Sequence, residues 1–302
     1  MKILIAVDDS ACSRAVVMET MNLRCPKNTK IRVMSAADVL GDVPSMEGIR
    51  RREIADKEIL VHRIIEKLRL AHPEAVVTGA VMKGYATDEI LNTCDEWQPD
   101  LLLLGSHGRS GIEYLLLGSV SRTIFLEAPC AVRIVRSKTL EHQESGSCNV
   151  IMALDNSEHS KNLIDHALQF PWSANAKFKC IHVVRHHVQI EKEKNDATVD
   201  AYNIEFVRGT KAWLEVAAQK LNDYFGKPVA EAQVLEGEPR KVIMDTAKNW
   251  PADLIMVGSH GRRGIDRAII GSVSEAVAMH APCSVEMTRI KTLAKRKIHV
   301  IV

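Results

Sequence analysis

The sequence has little that would commit it to a membrane, an oxidising compartment or a phosphotransfer motif. No apolar run approaches the ~20 residues needed to cross a bilayer. The 302-residue chain carries a formal net charge of only +2, too small for a global pull toward nucleic acid or an anionic membrane. Its seven cysteines are an odd number without a C-x2-C pair, which argues against a disulfide framework and for a reducing compartment, so a cytoplasmic location is expected. Met1-Lys-Ile-Leu-Ile-Ala-Val7 reaches Asp8-Asp9 too soon for a secretory signal and reads as a first β-strand. There is no Walker A sequence, no Ser-Gly-Gly-x-Asp loop and no carboxylate cluster beside a loop that would hold Mg²⁺. No catalytic residue and no dedicated metal ligand is assigned.

What the chain does have, it has twice. Gly105-Ser106-His107-Gly108-Arg109 leads through Leu117 to Gly118-Ser119-Val120, and 153 residues later Gly258-Ser259-His260-Gly261-Arg262 leads through Ile270 to Gly271-Ser272-Val273. Each copy reads G-x2-G-x9-G-S, follows an apolar run of strand length and enters a helix-compatible segment. The same offset pairs Gly84 with Gly237, Asp100 with Asp253 and Ala128-Pro-Cys130 with Ala281-Pro-Cys283. Near the start of each copy the offset is 147, aligning Ile3 to Ser10 with Val150 to Ser157. The chain is therefore a duplication, with about six extra residues in the second copy, most simply in the polar stretch from Arg185 to Asp200. A chain of this length at about 100–200 residues per domain agrees with two. The expected division is 1–137 and 148–290, with a linker over 138–147 and a tail over 291–302.

In the first copy, strands are expected at 2–8, 30–37, 75–82, 100–104 and 130–136, with helices at 10–23, 47–71, 86–97 and 119–127. The second copy places strands near 148–154, 177–184, 228–234, 252–257 and 283–288. Such alternation implies an α/β fold with parallel sheets covered by helices. Ligands of open parallel sheets sit at the carboxyl ends of strands where the winding reverses. Glycines there let the backbone turn with φ > 0 and approach an oxyanion closely. The hydroxyls of Ser119 and Ser272 add donors where a helix begins. The simpler alternative is a turn-rich connection with serine N-caps and no ligand. If strands one and four are neighbours, Asp8 faces the first loop and Asp155 the second, either binding ribose hydroxyls or capping the following helix.

These residues resemble the universal stress protein family in a tandem two-domain form, over essentially the whole chain, through the G-x2-G-x9-G-S signature of its ATP-binding branch. The resemblance implies two five-stranded parallel sheets in order 3-2-1-4-5, Rossmann-like and similar to adenine nucleotide alpha hydrolases, with ATP at the junction of strands one and four. It implies ribose contacts from Asp8 and Asp155 and adenine recognition at Ala36 and Val183. Ribose and phosphates would be held by Gly105, Ser106, Gly108, Gly118, Ser119 and Val120, and by Gly258, Ser259, Gly261, Gly271, Ser272 and Val273. Arg109 and Arg262 would add phosphate contacts. Mg²⁺ or Mn²⁺ would arrive with the nucleotide. Gly84-Tyr-Ala lacks the Gly-x-Pro of Gly237-Glu-Pro239 and Ala36 replaces the more usual Val, so two sites of unequal affinity are expected, the second the tighter.

The implied function is an ATP-binding stress-response regulator acting on an unidentified protein partner. Slow ATP hydrolysis in the same pockets, a nucleotide-free scaffold and a cyclic-AMP binder are the alternatives. His107 and His260 could act as acid, base or phosphate donor, or pack within the turn. Cys180, His182, His186 and His187 could be read as metal ligands, although His182 belongs to a strand. In the family the last strands pair domains into dimers, which the tandem chain would reproduce internally as a pseudo-dimer. Residues 297–302 alternate enough to act as an extra strand that covers an edge or joins two chains as a homodimer.

Overall fold

The structure, a computed structural model, describes residues 1–37, 47–107, 117–136, 147–170, 172–173, 175–185, 197–260 and 270–290. Strands and helices alternate as β1 (Lys2–Ala6), α1 (Ala11–Asn22), β2 (Lys30–Ala37), α2 (Glu47–Ala71), β3 (Val76–Lys83), α3 (Ala86–Trp97), β4 (Leu101–Gly105), α4 (Ser119–Glu127) and β5 (Ala131–Val135). The second half repeats this as β6 (Ser147–Ala153), α5 (Glu158–Gln169), β7 (Asn175–Val184), α6 (Ala197–Phe225), β8 (Ala230–Glu236), α7 (Pro239–Asn249), β9 (Leu254–Gly258), α8 (Ser272–His280) and β10 (Ser284–Thr288).

The strands among the described residues form one ten-stranded sheet in the order β3-β2-β1-β4-β5-β10-β9-β6-β7-β8. Each half is parallel and follows the expected 3-2-1-4-5 order. The halves meet edge to edge at β5 and β10, which run antiparallel. The central strands explain why the sheet is parallel. Ile3, Leu4 and Ile5 of β1 and Leu101, Leu102 and Leu103 of β4 have no exposed surface, so both faces need helical cover, which right-handed crossovers between parallel strands supply. One apolar core packs α1, α2, α5 and α6 against one face of the sheet. A second packs α3, α4, α7 and α8 against the other. No helix among the described residues is long and apolar enough to cross a membrane.

Several boundaries differ from expectation. β8 starts at Ala230 rather than 228, because Pro228 has no N–H to give a ladder and the Asn222 side-chain oxygen accepts from the amides of Val229 at 2.7 Å and Ala230 at 2.8 Å. The last four residues of the polar stretch, 197–200, are the first turn of α6 rather than insertion. Ser147 opens β6 rather than ending a linker. The rest of that linker, residues 186–196 with His186 and His187, and the expected strand 297–302 lie outside the described residues.

Candidate functional site

The winding reverses at β1 and β4, which are hydrogen-bonded neighbours in register from Ile3 with Leu101 to Ala6 with Leu104. Just beyond β1, Asp8 closes a ring with the start of α1. Its Oδ1 accepts from the Ser10 amide at 3.0 Å and from Ser13 Oγ at 2.6 Å, while Ser13 Oγ accepts from the Asp8 amide at 2.8 Å. Asp155 builds the same ring with Ser157 and Ser160 at 3.2, 2.8 and 2.8 Å. Ser10 and Ser157 are the N-caps of α1 and α5, accepting from the amides of Ser13 and Ser160. The aspartates thus organise a helix start, and the ring fixes the orientation of each carboxylate at the strand end. Ser13 and Ser160 escaped the sequence reading, although Asp-x-Ser-x2-Ser stands in both copies.

The loop after β4 is tied down from three sides. The Ser106 amide donates to Val135 O at 3.0 Å, the Gly118 amide to Ser106 O at 2.8 Å, and Ser121 Oγ to Gly105 O at 2.7 Å. The second copy repeats this with Ser259 on Thr288, Gly271 on Ser259 and Ser274 on Gly258 at 2.6 Å. Gly118 and Gly271 are the N-caps of α4 and α8, and neither cap position offers a side-chain acceptor. The serine N-caps expected as the simpler reading are therefore not present at these two helices. Their first amides need an acceptor from elsewhere. The first turn of α4 has no acidic residue, whereas that of α8 has Glu275, so the anion-favouring end is stronger in the first copy.

The glycines serve a purpose other than the left-handed turn expected of them. None of Gly105, Gly118, Gly258 and Gly271 has a positive φ. A Cβ on Gly105 would lie 2.6 Å from Cys12 Cβ, and one on Gly258 would lie 2.9 Å from His159 Cβ. The missing side chain lets the first turn of α1 or α5 sit on the end of the central strand. Gly108, Arg109, Gly261 and Arg262 lie outside the described residues.

In the first copy these elements enclose a cavity of about 210 Å³ whose wall includes Asp8, Ala36, Gly105, Gly118, Ser119 and Val120. Met34 and Ile90 add an apolar side, while Ser13, Ser35 and His107 add polar groups. Ser106 is not in the wall. It is buried, with Oγ 3.6 Å from Cys12 Sγ and 3.2 Å from His107 Nδ1. Burial, reinforced by Arg136, pushes the His107 pKa down and favours neutral imidazole.

The second copy carries Asp155, Val183, Gly258, Gly271, Ser272 and Val273 on the corresponding elements, with different chemistry beneath them. Ser259 Oγ lies 3.1 Å from both His159 Nδ1 and His260 Nδ1, and the two imidazoles are 4.9 Å apart at their centroids. His159 occupies the place of Cys12. Burial lowers its pKa, as does His260. His182 occupies the place of Ser35. Ser35 Oγ donates to Val7 O at 2.7 Å, and His182 Nδ1 lies 2.6 Å from Leu154 O. A carbonyl only accepts, so Nδ1 carries the proton there and the histidine replaces a serine bond. Among the described residues no group of three or more His, Cys, Asp or Glu side chains could hold a metal ion.

A parallel sheet reversing at its first and fourth strands, with an acid and a helix start without a side-chain cap across the reversal, defines a doubly wound α/β protein of the Rossmann-like class, here in tandem. A profile of the universal stress protein family matches residues 1–136 and 148–289, and the chain belongs to that family. It is 30% identical over 150 residues to a universal stress protein of Synechocystis, covering 46% of this chain and 96% of the relative. It is 36% identical over 145 residues to universal stress protein A homolog 2 of Coxiella burnetii, covering 47% and 93%. Nearly the full length of each relative thus corresponds to half of this chain. A universal stress protein from Archaeoglobus fulgidus superposes with TM-score 0.61 at 20% identity, covering 95% of this chain and 96% of that one, and so shares its fold throughout.

Proposed function

We propose that the chain is an adenine-nucleotide-binding regulatory protein of the stress response, with one ATP site in each copy, acting in the cytoplasm through a protein partner. The observation that carries this reading is the first-copy cavity, in which Asp8 and the start of α4 face a common space with an apolar wall. Each part suits one part of the ligand. A carboxylate held by the Ser10–Ser13 ring suits a ribose diol, uncapped helix amides suit phosphate oxygens, and the side of Met34, Ala36 and Ile90 suits a purine. Gly258, Gly271, Ser272 and Asp155 offer the corresponding groups in the second copy. Divalent metal would be bound through the phosphates, and Arg109 and Arg262 would add charge from the loops.

The test is to denature freshly purified protein and to identify and count the released nucleotides by mass spectrometry. Two ATP per chain support two sites, and one supports inequality between the copies. ADP or AMP, with turnover in Mg²⁺ or Mn²⁺, would move the reading to a slow ATPase, whereas no release and no uptake of added ATP or cyclic AMP would leave a scaffold. Asp8→Ala should weaken the first site by about tenfold to a hundredfold, the size of a hydrogen bond to a charged group. Isothermal titration against Asp155→Ala separates the two sites. Unchanged affinity in both variants would remove the ribose role.

A further inference from the structure

The seam between β5 and β10 has the symmetry of a homodimer contained in one chain. Its register pairs Val132 with Met287, Arg133 with Glu286 and Ile134 with Val285. Under the 153-residue offset, Val132 corresponds to Val285, Arg133 to Glu286 and Ile134 to Met287. The pseudo-twofold axis therefore passes between Arg133 and Glu286, and each faces its own counterpart. The same holds on the helices flanking the seam, where Arg122 Nη2 of α4 lies 2.8 Å from Oε1 of Glu275, its counterpart on α8.

At these two places, where a residue meets its own counterpart, the two copies carry opposite charges. Away from the axis, one arginine of each copy meets a different group of the other copy, and there the chemistry is the same in both. Arg136 donates to the carbonyls of Ala278 at 2.8 Å and Met279 at 3.2 Å at the end of α8. Arg289, its counterpart, donates to those of Phe125 at 3.0 Å and Leu126 at the end of α4. One layer beneath the axis an acid in one copy corresponds to an imidazole in the other. Glu19 of α1 lies 2.8 Å from Arg133 Nη1, and its counterpart at the 147 offset, His166 of α5, lies 2.7 Å from Glu286 Oε1. Glu19, Arg133, Glu286 and His166 so form a row that crosses the seam, with Arg133 and Glu286 only 3% and 0% exposed. The Arg133 guanidinium also lies 4.4 Å from the Phe170 ring of the second copy, where the first copy has Leu23, an aromatic face suited to a cation.

We propose that this inversion makes the β5/β10 edge a heterotypic interface: a first-copy edge fits a second-copy edge and rejects its own kind. Two first copies meeting along β5 would set guanidinium against guanidinium at position 133 and repeat the like-charge contact at position 122. Two second copies would set carboxylate against carboxylate at 286 and 275. Such contacts are unfavourable, most of all at the buried position of Arg133 and Glu286, and partner choice arises from the mismatch as much as from the match. The two halves of the chain thereby select each other along this edge.

The intact chain can test this, because each face can be recharged as its counterpart. His166→Glu with Glu286→Arg gives the second face the charges of the first, reproducing a contact between two first copies. Glu19→His with Arg133→Glu reproduces a contact between two second copies. The four changes together restore the row in mirrored order. Each two-residue chain should lose more than a hundredfold in its folding equilibrium constant, read from urea unfolding, and the four-residue chain should recover to within about tenfold of wild type, because breaking rather than exchanging a buried pair is what destabilises. A four-residue chain no better than the product of the two losses would overturn the proposal. If the buried variants do not fold, the half-exposed pair decides. Arg122→Glu and Glu275→Arg should each raise amide exchange along β5 and β10 by about two- to threefold, as exposed pairs do, and the double variant should return it to wild type. Additive effects there would overturn the proposal equally.

Discussion

Glu286→Ala is expected to lower the unfolding free energy by about 3–5 kcal/mol, because it leaves the buried Arg133 guanidinium with Glu19 as its remaining carboxylate in the row. Urea unfolding reads the loss directly, and an effect under about 1 kcal/mol would mean that the row contributes no more than an exposed pair. The pH dependence gives a second readout. Burial alone would raise the Glu286 pKa, but Arg133 and His166 outweigh it and hold the group at about 2, against an ordinary value of 4.5. A carboxylate depressed in the folded state contributes its full stability above the unfolded value and loses it as pH falls toward the folded one. Glu19 acts in the opposite sense. Burial pushes its pKa up and Arg133 only partly offsets this, so the folded state gains a proton there before the unfolded chain does. Wild-type stability should hold or rise slightly on entering weak acid and then collapse between about pH 4.5 and pH 2, in the window that linkage assigns to Glu286. Thermal midpoints from pH 7 to pH 2 should show that limb flattened in Glu286→Ala.

The order of elements was legible because hydrophobic periodicity and turn chemistry act locally. The expected helices at 47–71, 86–97 and 119–127 coincide with α2, α3 and α4. Apolar runs such as Leu101 to Leu104 marked the central strands, and the duplication turned each reading into two. What stayed hidden depends on contacts between distant segments. The requirement for Gly105 lies in Cys12 on another element, and the meaning of Arg133 lies in Glu286 across the sheet. A pattern of glycines says that backbone must come close to something, and only the fold says to what. Gly84 shows the limit from the other side. Without the proline of its counterpart, α3 still begins at Ala86, the position matching Pro239, but with Tyr85 as a cap whose side chain makes no capping bond, where Glu238 accepts from Lys241 in α7.

Gly105→Ala should destabilise the protein by about 2–3 kcal/mol, the upper part of the range of about 1–3 kcal/mol for forcing extra volume into a filled site, and weaken nucleotide binding in the first copy. The new Cβ would meet Cys12 Cβ at 2.6 Å and the Cys12 backbone carbon at 3.1 Å, so no rotamer change can relieve it. The start of α1 must move off the end of β4, and with it moves the ring of Ser10, Ser13 and Asp8. At Gly258 the corresponding contacts are 2.9 Å to His159 Cβ and 3.3 Å to His260 O, so Gly258→Ala should cost less, about 1 kcal/mol on the same scale. Gly209 provides the opposite control. It lies exposed within α6 with nothing within 4 Å of an added Cβ, and Gly209→Ala should stabilise by about 0.5–1 kcal/mol through lost freedom of the unfolded chain. Urea midpoints should therefore rise in the order Gly105→Ala, Gly258→Ala, wild type, Gly209→Ala. A Gly105→Ala protein as stable as wild type would show that helix approach is not what requires glycine there, and would return the residue to the loop and its ligand.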